Sequence, residues 1–276
     1  MSQLFGPPPT PAYEASPTAD DIAFFEANGF VVVERLTSDE EIAWLRQIFE
    51  FIFDPTSGVG PNAPVDRSGD DATGGRLGQA FFPEMRFPEI LQSAFYSNAK
   101  RYAAALLRVD VGRLSAWGHM IGKPPGARAV DWHQDHAYWQ PEFDYHALGV
   151  WLPMHDVSIE MGAMQFVAGS HKRGLLCHRH LEDPAHNLLT VDEPFDAGAI
   201  TPCPLKMGGA TFHHAETLHY TAPNTTAGFR MAFPMEFQLT PVRRAEPAVM
   251  PWVDEHRAKA GVRPPVHVAD GKVVQI

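Results

Sequence analysis

From Leu114 onward the chain breaks into short apolar runs separated by Gly and Pro, and no other feature limits its fold as much. Such runs fall at residues 114–122, 129–139, 146–154, 163–167, 208–213, 217–222 and 228–240. Each has the length of a strand, and many short strands with turns between them predict a sandwich or barrel. Ahead of them the pattern is helical. Ser16-Pro17-Thr18 followed by Asp20 and Asp21 reads as a helix start, and Asn28-Gly29 as its stop. Phe30 to Val33 is a β-branched strand. Thr37 to Glu41 opens a second helix carrying Ile42, Trp44, Leu45, Ile48 and Phe49 at helical spacing. A third helical stretch runs from Glu89 to Arg108. Residues 54–80, rich in Gly, Pro and Asp, read as a long irregular loop. Residues 1–17 read as a Pro-rich arm without its own core, which leaves 18–276 as one domain, a β-barrel with helices packed outside.

Composition narrows the partners. The chain has 276 residues, 45% hydrophobic and 20% charged, which is a globular balance. Its net charge is −11 with no Lys/Arg cluster, so neither nucleic acid nor an anionic membrane is expected as a partner. Cys177 and Cys203 match no metal or redox spacing and read as reduced thiols. Met1 to Thr18 has no basic region followed by an apolar run, and no stretch is apolar for long enough to cross a membrane. The expectation is a soluble, cytoplasmic protein.

The chemistry centres on Trp132-His133-Gln134-Asp135. On an extended strand His133 and Asp135 point to the same face, which makes two-thirds of a 2-His-1-carboxylate site. Such a site leaves coordination positions open and suits non-haem Fe(II). The chain has fourteen histidines, so a lone His-x-Asp is a weak signal. A second histidine is required, and His136, His146, His155, His171, His178, His180, His186, His213, His214, His219, His256 and His267 all lie downstream. In a barrel the partner must sit on a strand beside the one bearing His133. His219 stands at a strand end before Pro223-Asn224, and Arg230 follows on the far side of that turn, where a hairpin would bring both inward. Arg suits a carboxylate because its planar fork binds two oxygens at once. Set among Gly228, Phe229, Met231, Ala232 and Phe233, its charge needs a partner. His214-Ala215-Glu216 is a rival His-x-acid pair, but it lies too close to His219 for three convergent strands. His213 and His214 read as strand residues packing near the site.

Several motifs stand in a fixed order: Trp132 to Asp135, Val150-Trp151-Leu152-Pro153, Gly162 to His171, His219-x-Thr221-x-x-Asn224, and Arg230. Together they resemble the phytanoyl-CoA dioxygenase family of Fe(II)/2-oxoglutarate-dependent oxygenases, over Thr18 to about Gln238. The resemblance implies a double-stranded β-helix, the jelly-roll or cupin-like barrel. It implies iron on His133, Asp135 and His219, and Arg230 on the distal carboxylate of 2-oxoglutarate with the Thr221 hydroxyl as second donor. Trp151 and His119 would line the cosubstrate pocket. Gln79 and Arg76, at the end of the long loop, are expected to approach it, with Gln79 among the cosubstrate residues. Asn224 would shape the turn.

Met161 and Ala168 depart from the family's usual Asn and Pro, which bears on loop geometry. Asp135 fills the position that related halogenases leave small, so hydroxylation is expected over halogenation. The implied reaction uses Fe(II), 2-oxoglutarate and O2 to oxidise an unactivated C–H bond of a small molecule, releasing succinate and CO2. Tyr138, Trp139, Phe143 and Tyr145 would form an aromatic rim for a substrate with an apolar or ring-bearing body. Two other classes are open to a barrel of this kind: Zn(II) or Ni(II) chemistry of a hydrolytic or isomerising type, and a catalytically silent binding protein. The Pro-containing run after Thr240 is expected to cover the barrel or a neighbouring subunit.

Overall fold

The front helices begin where capping residues stand. Thr18 accepts a hydrogen bond from the Asp21 amide and Asp21 accepts one from the Thr18 amide, a reciprocal cap ahead of α1 (Ala19–Asn28). Gly29 ends the helix at φ 81°, and a Cβ there would lie 2.3 Å from His171 Nδ1. β1 (Phe30–Val33) and α2 (Asp39–Phe53) follow, the latter burying Ile42, Leu45, Ile48 and Phe49. The computed structural model describes residues 4–10, 12–54, 56–57, 78–184, 187–261, 266–269 and 272–275. The expected loop over 54–80 falls largely outside these, and Arg76 entirely so. Its last residues are not irregular, because Gly78–Phe81 form β2.

The helix expected over 89–108 is interrupted. After α3 (Pro83–Arg86) comes a short 3-10 segment, Pro88–Gln92, and only then α4 (Ala94–Leu106). The break lies at Ser93, whose hydroxyl accepts from the Tyr96 amide while the buried Glu41 carboxylate takes the amides of Ala94 and Phe95. The arm lies along these helices: Trp44 Nε1 donates to Phe5 O and Tyr102 to Ser16 O.

In chain order the later elements are β3 (Ser115–Lys123), β4 (Val130–His133), β5 (Phe143–Asp144), β6 (Ala147–Pro153), β7 (Met164–Val167), β8 (His178–His180), β9 (Leu189–Val191), β10 (Ile200–Cys203), β11 (Ala210–His214), β12 (His219–Thr221), β13 (Arg230–Gln238), β14 (Val242–Arg243), α5 (Pro251–Ala260), β15 (Val266–Ala269) and β16 (Lys272–Gln275). Six strands form one antiparallel sheet in the order β1-β11-β6-β13-β3-β2, and four form another, β10-β7-β12-β4. The two face each other in a jelly roll. Phe30 of β1 stacks on Phe166 of β7 at 4.7 Å, and Trp151 and Ala232 share a core cluster with Met164 and Cys203. On the other side of the large sheet Phe212, Phe233, Met235 and Phe237 pack with residues of α2 and α4. Each such aromatic or aliphatic burial contributes roughly 1.5–3 kcal/mol. Because a strand alternates faces, β13 sends Phe233, Met235 and Phe237 to the helices and Arg230 and Glu236 to the interior.

Two expectations about connections are corrected. The strand expected over 129–139 ends at His133, and Asp135–Tyr138 form a 3-10 turn. β12 and β13 are not a hairpin: they belong to different sheets, and the chain crosses the gap between them. Asn224 makes that crossing by donating to Lys123 O and Gly228 O while its Oδ1 accepts from the Thr226 amide, the turn-shaping part expected of it. At the far end α5 covers the turn after the tetrad, with Trp252 Nε1 donating to Ala137 O and Arg257 forked onto Glu142. Both cysteines are free. Among the described residues no helix is long and apolar enough to cross a membrane.

Candidate active site

Register brings the histidines together. β4 and β12 pair with His219 directly opposite His133, and the two rings stand 4.1 Å apart. His133 Nδ1 lies 2.6 Å from Asp131 O and His219 Nδ1 2.9 Å from Thr217 O. Each carbonyl accepts a hydrogen bond from Nδ1–H, which turns both Nε2 atoms towards the interior, free for a metal once the imidazoles are neutral. The Nε2 atoms face Asp135 Oδ1 at 3.9 Å and 3.4 Å. The three ligand atoms lie within 4.8 Å of one another, and among the described residues no other group of three does so.

Asp135 arrives from a turn, so something else must aim it. The intervening Gln134 is fully buried, with its amide donating to Gly174 O and Glu216 O and its carbonyl accepting from the Leu176 amide. The backbone between the two ligands is thereby clamped. Asp135 Oδ2 accepts a 2.8 Å hydrogen bond from His213 Nε2. Gly149 makes room for this pair, since a Cβ there would lie 2.6 Å from the His213 ring and 3.3 Å from Asp135 Oδ2.

The protonation states suit a metal. Burial, helped by the neighbouring His219, lowers His133 to about 3, so its imidazole is neutral near pH 7. Burial works against charge on Asp135, yet His219 and the hydrogen bond from His213 hold it well below the carboxylate range. Burial likewise opposes charge on His219, but Asp135 raises it above its usual value. A cation in the triad would displace that proton. Two imidazole nitrogens and one carboxylate oxygen fit a ferrous ion with open positions.

A cleft of about 610 Å³ opens onto the triad. At one end lies Arg230, 1% exposed, its Nη1 donating to Gly162 O at 3.1 Å and its guanidinium 5.4 Å above Trp151. Its Nε is buried without a hydrogen-bond partner, and among the described residues no carboxylate pairs with it. Burial lowers it only to about 10, so it stays charged near neutrality. Opposite it in the β3–β13 register stands Lys123, fully buried, donating to Thr221 Oγ1 at 2.9 Å and Ala222 O at 2.8 Å. Burial, then Arg230, lowers Lys123 to about 6. With Lys123 donating to it, the Thr221 hydroxyl has its own hydrogen left to give. This end is built for an anion, and the orphaned Arg230 Nε fits a carboxylate.

Trp151, Thr221, His119 and Gln79 all line the cleft, Gln79 from β2 rather than from a loop, with its Oε1 buried and unpartnered. Tyr138 and Trp139 line it as well. Phe143 and Tyr145 do not: Phe143 pairs with β14, and Tyr145 packs on Trp139 and His136. Met161, where the family usually has Asn, packs against the cluster between the sheets. The rival pair is turned elsewhere, His214 accepting from the Glu216 amide and Glu216 pairing with His136. Sequence reasoning missed Lys123 and Glu236 and undervalued His213. The signal for the first two was the one applied to Arg230, a charge inside an apolar strand.

The family model described as Phytanoyl-CoA dioxygenase (PhyH) matches residues 25–232. A phytanoyl-CoA dioxygenase domain-containing protein 1 of Danio rerio is 30% identical over 119 residues, 41% of this chain and 40% of the relative. A probable alpha-ketoglutarate-dependent hypophosphite dioxygenase of Stutzerimonas stutzeri is 36% identical over 109 residues, 37% of each chain. The matches thus span about two-fifths of these relatives' lengths. Among solved structures, EvdO2 from Micromonospora carbonacea var. aurantiaca, complexed with 2-oxoglutarate, superposes with a TM-score of 0.76 at 29% identity, covering 87% of this chain and 98% of that one.

Proposed function

Because the chain belongs to the phytanoyl-CoA dioxygenase family, we propose that it is an Fe(II)- and 2-oxoglutarate-dependent dioxygenase that hydroxylates an unactivated C–H bond of a small molecule. The observation that carries the reading is the pairing of the His133/Asp135/His219 triad with Arg230, a buried cation whose free Nε faces the same cleft. The triad would hold the iron. With 2-oxoglutarate it would supply O2 activation, with succinate and CO2 as co-products.

The protein's own part is placement and exclusion of water. Arg230 would fork onto the distal carboxylate with the Thr221 hydroxyl donating beside it, that hydroxyl being held in orientation by Lys123. Trp151 packs beneath the guanidinium and keeps it dry. Gln79 and His119 close the wall on the β2–β3 side. His213 fixes the Asp135 carboxylate, which would ligate the metal at the position a halide would need. No side chain is required as a general acid or base. Zn(II) or Ni(II) chemistry would account for the triad but leave Arg230 buried without an anion. A silent binding protein has no use for three aligned ligands.

Anaerobic titration with Fe(II) and 2-oxoglutarate tests this. A weak visible charge-transfer band should require both additions, and Arg230→Ala should weaken 2-oxoglutarate binding roughly 30-fold or more, as loss of a buried charge pair does. An unchanged affinity in that variant sinks the carboxylate clamp. Succinate formation under air then separates a working enzyme from a silent one.

A further inference from the structure

Arg230 and Glu236 lie on the same inward face of β13 and both line the cleft. Their separation along an extended strand is roughly 20 Å. On the reading above, 2-oxoglutarate occupies the Arg230 end, which leaves the Glu236 end for the substrate. Register places Glu236 between Trp117 of β3 and Gly149 of β6. Gly149 is the bare position over which Asp135 and His213 meet, so Glu236 borders the ligands without joining them. It is 6% exposed, and its Oε2 is buried with no hydrogen-bond partner.

A carboxyl oxygen left unpaired in a protein interior weakens the fold, so the group has no structural reason to be there. Three aromatic rings line the cleft on this side, the first of them Trp117 opposite Glu236. The rings of Phe81, His119 and Trp117 follow one another at 5.4 Å and 5.7 Å, with tilts of 28° and 27°. Tyr138 and Leu189 line the cleft as well.

We infer that Glu236 is a substrate-binding residue whose carboxyl group pairs with a hydroxyl of a ring-bearing substrate laid against the Trp117, His119 and Phe81 shelf. A hydroxyl suits this position because it donates to a carboxylate and accepts from a carboxylic acid, and so pairs with either form.

Three near-isosteric probes test the assignment: benzyl alcohol, benzylammonium and ethylbenzene. Their binding is measured by calorimetry without O2, to protein loaded with Fe(II) and 2-oxoglutarate and to metal-free protein. Glu236→Leu should weaken benzyl alcohol about tenfold relative to ethylbenzene, the loss of one hydrogen bond, while Glu236→Gln keeps most of the affinity. Glu236→Leu should also raise the melting temperature, because it removes the unpaired group. An alcohol-to-hydrocarbon ratio unchanged in Glu236→Leu overturns the inference. So does wild-type preference for benzylammonium, or a Leu variant that melts lower or fails to fold. If iron and 2-oxoglutarate do not bind at all, the oxygenase reading fails, and the probe ratio is still read on metal-free protein.

Discussion

The chain contains two His-x-acid pairs, and they meet opposite fates. In His133-x-Asp135 each Nε2 and carboxylate oxygen points into the cleft, with His219 across the strand pair as third member. In His214-x-Glu216 the imidazole nitrogen is spent on the Glu216 amide, and the carboxylate goes to His136. Strand alternation explains the second case. On β11 His213 faces inward to Asp135, so His214 must face outward, where its ring meets His171. Spacing is therefore not what makes a metal site. The deciding features are the face to which the strand turns its imidazole and the side chain that stands on the neighbouring strand.

The largest effect should come from breaking each pair in turn. His133→Ala should abolish the Fe(II)/2-oxoglutarate band and succinate formation. His214→Ala should leave both within about twofold, the range of substitutions away from a special feature. Equal losses in the two variants would mean that the pairs do not differ as described. A smaller effect should separate ligation from the support behind it. His213→Phe keeps the ring's bulk but removes the bond to Asp135, and Fe(II) affinity should fall roughly 10–100-fold with the fold intact. Equilibrium competition against a metal-sensitive dye would read this, and an unaltered affinity would show that Gln134 alone aims the carboxylate.

The smallest effect belongs to the second pair. Burial opposes charge on Glu216, but the hydrogen bond from His136 and the nearby histidines hold its pKa below the usual value of 4.5. A folded pKa below the unfolded one means that the contribution is present above about pH 4.5 and disappears as the pH falls. Glu216→Gln should cost about 1 kcal/mol near neutrality. Thermal melts should show the difference from wild type constant from pH 7 down to about 4.5 and shrinking below that. Iron affinity should not change.

Much of this was legible in local patterns. The caps at Thr18 and Ser38 and the stop at Gly29 act within a turn of helix, and the helices stand where those residues predict them. The short Gly- and Pro-bounded runs became most strands of the two main sheets, although β2, β5, β8, β9, β10, β14, β15 and β16, each two to four residues long, escaped notice because so few residues carry little periodicity. Arg230 was readable as a buried cation in need of an anion. Lys123 and Glu236 carried the same signal, an ionisable residue inside an apolar strand, and were passed over.

The sequence by itself determined what alternation and capping determine: which elements form, and which side of each strand carries apolar residues. It also placed His133 and Asp135 close enough to share an ion, since two residues cannot separate far. Which of a dozen downstream histidines would complete the site was decided by the pairing of β4 with β12, and the opposition of Arg230 to Lys123 by the pairing of β13 with β3. Those registers join segments 86 and 107 residues apart, as 219 − 133 and 230 − 123 show. No local propensity acts over that distance. Register is selected by burial of whole strand faces between two sheets, a property that exists only once the chain has folded.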